Sequence, residues 1–133
     1  MNIQLKDQNG ADLVVQVGES FNFLATFKDM SATPVQLTKA QILTLTLTLY
    51  AGSSIINSRN AVSVKDDNGG AVTTAGALTL KLDPADQVIV DTSLENRGYE
   101  DHIIRIDWTW NDGQSRTGRA EYRFQVEKIV TPS

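Results

Sequence analysis

Between Ile42 and Tyr50 the chain places Leu43, Leu45, Leu47 and Leu49 on one face of an extended backbone and Thr44, Thr46 and Thr48 on the other. Strict alternation marks a half-buried strand, because successive side chains point to opposite faces. The interleaved threonines are β-branched, so they favour a pleated backbone over the helix a leucine run alone would allow. A second alternation turns Ile104, Ile106, Trp108 and Trp110 inward against Arg105, Asp107 and Thr109. A third, Arg119 to Glu127, sets Ala120, Tyr122, Phe124 and Val126 against Arg119, Glu121, Arg123, Gln125 and Glu127. Between these two lies Asn111-Asp112-Gly113-Gln114, whose Asp-Gly pair supplies the positive-φ positions of a tight turn. The spacing predicts an antiparallel hairpin, with some irregularity around Gly118.

Earlier in the chain Phe21, Phe23, Ala25 and Phe27 alternate with Asn22, Leu24, Thr26 and Lys28, and Gly18-Glu19-Ser20 separates them from Asp12 to Val17, which reads as a strand pair. Ala77 to Leu82 alternates Leu78, Leu80 and Leu82 with Thr79 and Lys81. Shorter strands are expected at Ile55 to Asn57 and Ala71 to Thr74. The helical exception is Asp83-Pro84-Ala85-Asp86-Gln87, where proline in the first turn after an aspartate fits a single turn of helix, of 3₁₀ type. About seven to nine short strands with one helical turn describe an all-β fold. The expected architecture is an antiparallel β-sandwich with Greek-key connections, immunoglobulin-like or jelly-roll-like. Residues 1–133 read as one domain, with 1–10 as an N-terminal arm and 129–133 as a loose tail.

Composition narrows the chemistry. The 133 residues include no cysteine and one histidine, which excludes a disulfide framework, a cysteine-ligated metal and a thiol nucleophile. At this size about two thirds of the extended chain's surface can be buried, enough for one core. Twelve basic against 16 acidic side chains give a net charge of −4, without a Lys/Arg cluster. That removes the counterion-release drive for nucleic acid and the attraction to anionic membranes. No stretch has the length of a membrane span or the form of a signal peptide, so a soluble, non-exported protein is expected.

Candidate chemistry is sparse. His102, between Asp101 and Ile103, has the pKa range of a general base or metal ligand. Without partners at triad or metal spacing it reads as a structural histidine bonded to a nearby loop. Among the acidic residues around the helical turn, Asp83, Asp86 and Asp91 are candidate calcium ligands, although their spacing matches no known calcium loop. Tyr50 and Tyr99 are the aromatic rings most open to stacking on a sugar. No catalytic residue and no cofactor is expected. Ile42, Tyr50, Ile103 and the row Thr44, Thr46 and Thr48 are expected on an uncharged outer face suited to a protein contact. The first residues, Met1, Asn2, Ile3, Gln4 and Leu5, are candidates for an arm that orders on binding.

Four segments, LTLTLYAGSSIINSRNAVSV, LTLKLDPADQVIV, EDHIIRIDWTW and GRAEYRFQVEKI, resemble small immunoglobulin-like virion proteins of tailed bacteriophages. There a Leu/Thr strand leads through an IIN-x-R segment to a Pro-Ala-Asp turn. The similarity covers most of residues 40–130. It implies a non-enzymatic structural protein of the virion, assembled in the bacterial host cytoplasm, where neither export signal nor disulfide is needed. The implied partners are other virion proteins, such as the major capsid protein or neck and tail proteins, and further copies of the chain. Capsid decoration or cementing is the first expectation. A neck, tail or baseplate accessory is the second, and a carbohydrate-binding adhesin module is the alternative from another class. Nucleic acid and membrane are not expected partners.

Overall fold

The computed structural model describes residues 2–4, 13–16, 21–29, 33, 35–94, 98–111 and 113–128. Among them are ten strands: β1 Asn2–Gln4, β2 Leu13–Gln16, β3 Phe21–Ala25, β4 Thr44–Ala51, β5 Ser54–Ile55, β6 Val62–Ser63, β7 Gly70–Val72, β8 Leu78–Leu82, β9 Tyr99–Asn111 and β10 Ser115–Glu127. They form two sheets. The smaller runs β1-β3-β8-β7, and the larger runs β2-β10-β9-β4-β5 with β6 also on β4. Lettered in sequence, this is the A-B-E-D and A′-G-F-C-C′ order of an immunoglobulin-type sandwich. One 3₁₀ turn, Pro84–Gln87, is the helical element among these residues. The expected all-β sandwich with one helical turn is therefore the observed fold.

The core follows the alternation. Leu45, Leu47 and Leu49 from β4, Ile104, Ile106, Trp108 and Trp110 from β9, and Ala120, Phe124 and Val126 from β10 face the small sheet. That sheet contributes Phe23, Val72, Leu78, Leu80 and Leu82. Aromatic pairs tie the layers: Phe23 meets Tyr122 edge-on at 5.1 Å between ring centroids, and Phe27 meets Trp108 at 5.0 Å. Offset and edge-on pairs of this kind add stabilisation beyond the area they bury.

Three expectations change at the start of β4 and upstream. Ile42, expected outside, is fully buried, whereas Leu43, expected inside, is 55% exposed. The alternation slips because residues 39–41 form a turn, in which the Ile42 N–H bonds to the Thr38 carbonyl, and the strand begins only at Thr44. Of the expected pair Asp12 to Val17 and Phe21 to Phe27, the described strands β2 and β3 lie in different sheets. β2 lies parallel to β10 in the large sheet, and β3 lies antiparallel to β8 in the small one. Within the expected N-terminal arm, Asn2–Gln4 is a strand, parallel to Asn22–Leu24 of β3. Met1, residues 5–12 and the tail 129–133 lie outside the described residues.

The hairpin of β9 and β10 keeps an unbroken register from Asn111↔Ser115 to Tyr99↔Glu127. The irregularity expected at Gly118 is absent. Gly118 sits opposite Trp108, and a β-carbon there would lie 2.3 Å from the indole ring. The glycine thus makes room for a ring that covers its bare backbone.

Candidate interaction surface

The second strand that borders β4 is interrupted. After β5, residues 56–61 bulge outward before β6 resumes the ladder: the Ile56 N–H bonds to the Leu49 carbonyl and the Leu49 N–H to the Arg59 carbonyl. Asn57, Ser58 and Ala61 take positive φ (53°, 56° and 52°), which asparagine tolerates better than most residues. The bulge directs Arg59 into the sandwich, where it meets Asp86 of the 3₁₀ turn. Nε donates to Oδ1 at 2.6 Å and Nη2 to Oδ2 at 3.1 Å, while Nη1 donates to the Asn68 carbonyl at 2.8 Å. Asn57 Nδ2 adds a fourth bond, 2.9 Å to Asp86 Oδ1. Asp86 also reaches back to the Asp83 N–H at 2.8 Å, the return half of a capping box. Asp86 is fully buried and its charge is met on every side. The IIN-x-R and Pro-Ala-Asp segments are therefore two halves of one clasp.

Of the three calcium candidates, Asp86 and Asp91 have other side-chain partners. Asp86 is committed to Arg59, and Asp91 Oδ1 accepts from the Ser93 N–H at 3.0 Å and its hydroxyl at 2.6 Å. The Ser93 hydroxyl and N–H hold the Asp91 carboxyl below its usual range. Asp83 contributes its backbone to the turn, its carbonyl accepting Gln87 Nε2 at 2.8 Å. Among the described residues no group of three His, Asp or Glu side chains is placed to hold a metal ion.

His102 is fully buried beneath Phe124, whose ring meets it edge-on at 5.5 Å. Nε2 lies 2.7 Å from Glu100 Oε1, and Nδ1 has no hydrogen-bond partner. A proton on Nε2 makes this bond to the carboxylate. Burial lowers the His102 pKa, and the Glu100 and Asp101 charges oppose this only in part. Glu100 in turn accepts the Val90 and Asp91 N–H groups at 2.8 and 2.7 Å. Burial pushes its pKa up, but these donors together with His102 outweigh it and leave the carboxyl lowered. The pair fastens loop 88–94 to β9, as a structural histidine would.

The outer face of the large sheet is the remaining candidate. Its rows, read from β4 through β9 to β10, are Thr44, Thr109, Thr117; Thr46, Asp107, Arg119; Thr48, Arg105, Glu121; and Tyr50, Ile103, Arg123. Ile55 of β5 stands beside Tyr50. The expected uncharged face is thus corrected: the threonine row is real, but its neighbours carry charge. Thr44 and Thr109 hydroxyls share a 2.5 Å bond, and Thr48 is buried under the bulge, its hydroxyl accepting the Ala61 N–H at 3.1 Å. Asp107 is held by Arg105 Nε at 3.1 Å and Arg119 Nε at 2.5 Å. Tyr50 lies near the Glu121 carboxylate, and partial burial followed by that carboxylate raises the phenol above its usual pKa. Tyr99 is half exposed near the far end of β9. Of the other contact candidates, Asn2, Ile3 and Gln4 form the border strand β1 of the opposite sheet, and Met1 and Leu5 lie outside the described residues.

No helix among the described residues is long and apolar enough to cross a membrane. Set against known protein families, curated proteins and solved structures, the chain matches none.

Proposed function

We propose that this chain is a non-enzymatic structural protein of a tailed-bacteriophage particle, binding other virion subunits as a capsid decoration or cement protein. The observation that carries the reading is the clasp: Asn57 and Arg59 from the IIN-x-R segment close on Asp86 from the Pro-Ala-Asp turn. The residues that give the chain its resemblance serve the framework. Its buried charged groups, Arg59, Asp86 and the Glu100–His102 pair, likewise hold strands and loops in place. What the framework presents outward is a broad sheet face of preset side chains, the kind of surface a protein contact uses.

Quantitative mass spectrometry of gradient-purified particles tests this. The protein is expected to remain after washing, in a fixed ratio to the major capsid protein. Presence in the lysate without retention on particles would overturn the reading, and binding of the isolated protein to host cells or glycan arrays would favour the adhesin instead.

A further inference from the structure

Four charged groups at the middle of the large sheet's outer face form an alternating quartet. Asp107 stands opposite Arg119, and Arg105 opposite Glu121 in the next row, so the sign changes along each strand and across the pair. Such a quartet is self-complementary. A half-turn about an axis lying in the face, parallel to the strands and midway between β9 and β10, exchanges the two columns and keeps the rows. Asp107 of one copy then faces Arg119 of the other, and Arg105 faces Glu121, with both contacts repeated by symmetry. Thr109 faces Thr117 in the neighbouring row.

We propose that two copies of this chain associate face to face through the outer surface of the large sheet, with the two-fold axis between β9 and β10. The quartet is neutral, whereas the whole chain carries −4, so copies approach here without the repulsion they meet elsewhere. An isologous contact needs a patch that complements itself, and closed two-fold symmetry is the commonest arrangement of identical subunits. The groups are preset: Arg105 and Arg119 are already fixed on Asp107. Association therefore freezes few additional rotamers. A guanidinium has five donors in one plane, enough to bridge its own carboxylate and that of the other copy. Threonines flank the quartet on one side; on the other, Ile55, Tyr50 and Ile103 share a row with Arg123, whose aliphatic stem the half-turn sets against Ile103 of the other copy.

β9 and β10 run for thirteen residues each, about 43 Å, and β4 flanks them for eight. At the quartet's rows the face is three strands wide, the extent of a small, concentration-dependent interface. Each sheet twists, so the two faces diverge toward the strand ends and contact concentrates at the centre, where the quartet lies. The association does not depend on where the chain works, and its failure would leave the particle reading standing.

Sedimentation of the full chain over a concentration series tests the proposal. Wild type is expected as a dimer, weakened about tenfold or more as salt rises to screen the pairs. R105E/R119E makes the quartet wholly acidic and D107R/E121R wholly basic. Each variant alone is expected to be monomeric, and their equimolar mixture to form a heterodimer. Both variants lose the pairs within the chain, so recovery on mixing reports contact between chains. Thermal melts check that each still folds. Should either fail to fold, spin labels on otherwise native chains decide: T117C lies beside the axis and T79C on the opposite sheet, so the first must give the shorter distance between copies. A wild type that is monomeric at all concentrations, variants with wild-type mass, or labels at T117C no closer than at T79C would overturn the proposal.

Discussion

Arg59 and Asp86 are 27 residues apart in sequence and meet as a two-point buried ion pair, Nε to Oδ1 at 2.6 Å and Nη2 to Oδ2 at 3.1 Å. The pair joins the bulge after β5 to the 3₁₀ turn after β8, so it links the large sheet's border to a loop of the small sheet. Removing one partner leaves the other charge buried without compensation, which costs more than the pair itself contributes. R59A and D86A are each expected to lower stability by about 3–5 kcal/mol. The double variant R59M/D86L, with no charge left to strand, should lose less than either single change. Urea unfolding curves measure all three, and a double variant less stable than both singles would contradict this account.

His102 gives the fold an acid limit. Its pKa in the folded chain lies below the ordinary value of 6.5, so the unfolded chain binds the proton more readily. Stability from the neutral ring is complete above pH 6.5 and is lost as pH falls through the lowered folded value. Glu100 is also lowered, and its share is present above about 4.5 and lost below. Melting temperature is therefore expected to fall in two stages on acidification. H102F should remove the upper stage while leaving the lower. An unchanged profile between pH 7 and 5 in the wild type would count against the buried neutral ring.

Gly118 faces the indole of Trp108 so closely that an added β-carbon would lie 2.3–2.6 Å from three ring atoms. G118A is expected to cost about 1–3 kcal/mol by overpacking and to alter the tryptophan emission. Paired with W108L, which vacates the space, the same substitution should cost much less. Equal losses in both backgrounds would show that the ring is not the obstacle.

Calcium is expected to have no effect. With Asp86 on Arg59 and Asp91 on Ser93, the acidic loops have no shared ligand set among the described residues. Melting curves with chelator and with millimolar calcium should superimpose. A saturable rise with calcium would restore the site that the aspartates suggested, since a ligand selective for the folded state must raise stability.

The strands β8, β9 and β10 were legible because their alternation is long and bounded by turn residues. Gly113, at positive φ, lies between β9 and β10, whose register sets Asp107 opposite Arg119. The sheet assignment of β2 and β3 was not legible: alternation says which side of a strand is buried, and nothing in Gly18-Glu19-Ser20 says whether the chain turns back or crosses to the other layer. Ile42 and Leu43 exchanged sides because the turn at 39–41 shifts the phase at a place where every residue type still fits a strand. The threonine row of β4 could be read, but not its charged neighbours, since pairing with β9 joins segments some 60 residues apart. The clasp had only a faint signal: an arginine after an asparagine that tolerates positive φ, and an aspartate inside a turn. Neither names the other until the fold brings them together.

The central claim, a structural protein that works by its surfaces within a phage particle, is tested most directly by image reconstruction of that particle with the copies counted. The account predicts sandwich-shaped density on the outer capsid in hundreds of copies, with the clasp and core turned away from the contacts. Six or twelve copies would move the protein to the neck or tail, and an intact particle without such density would contradict the claim.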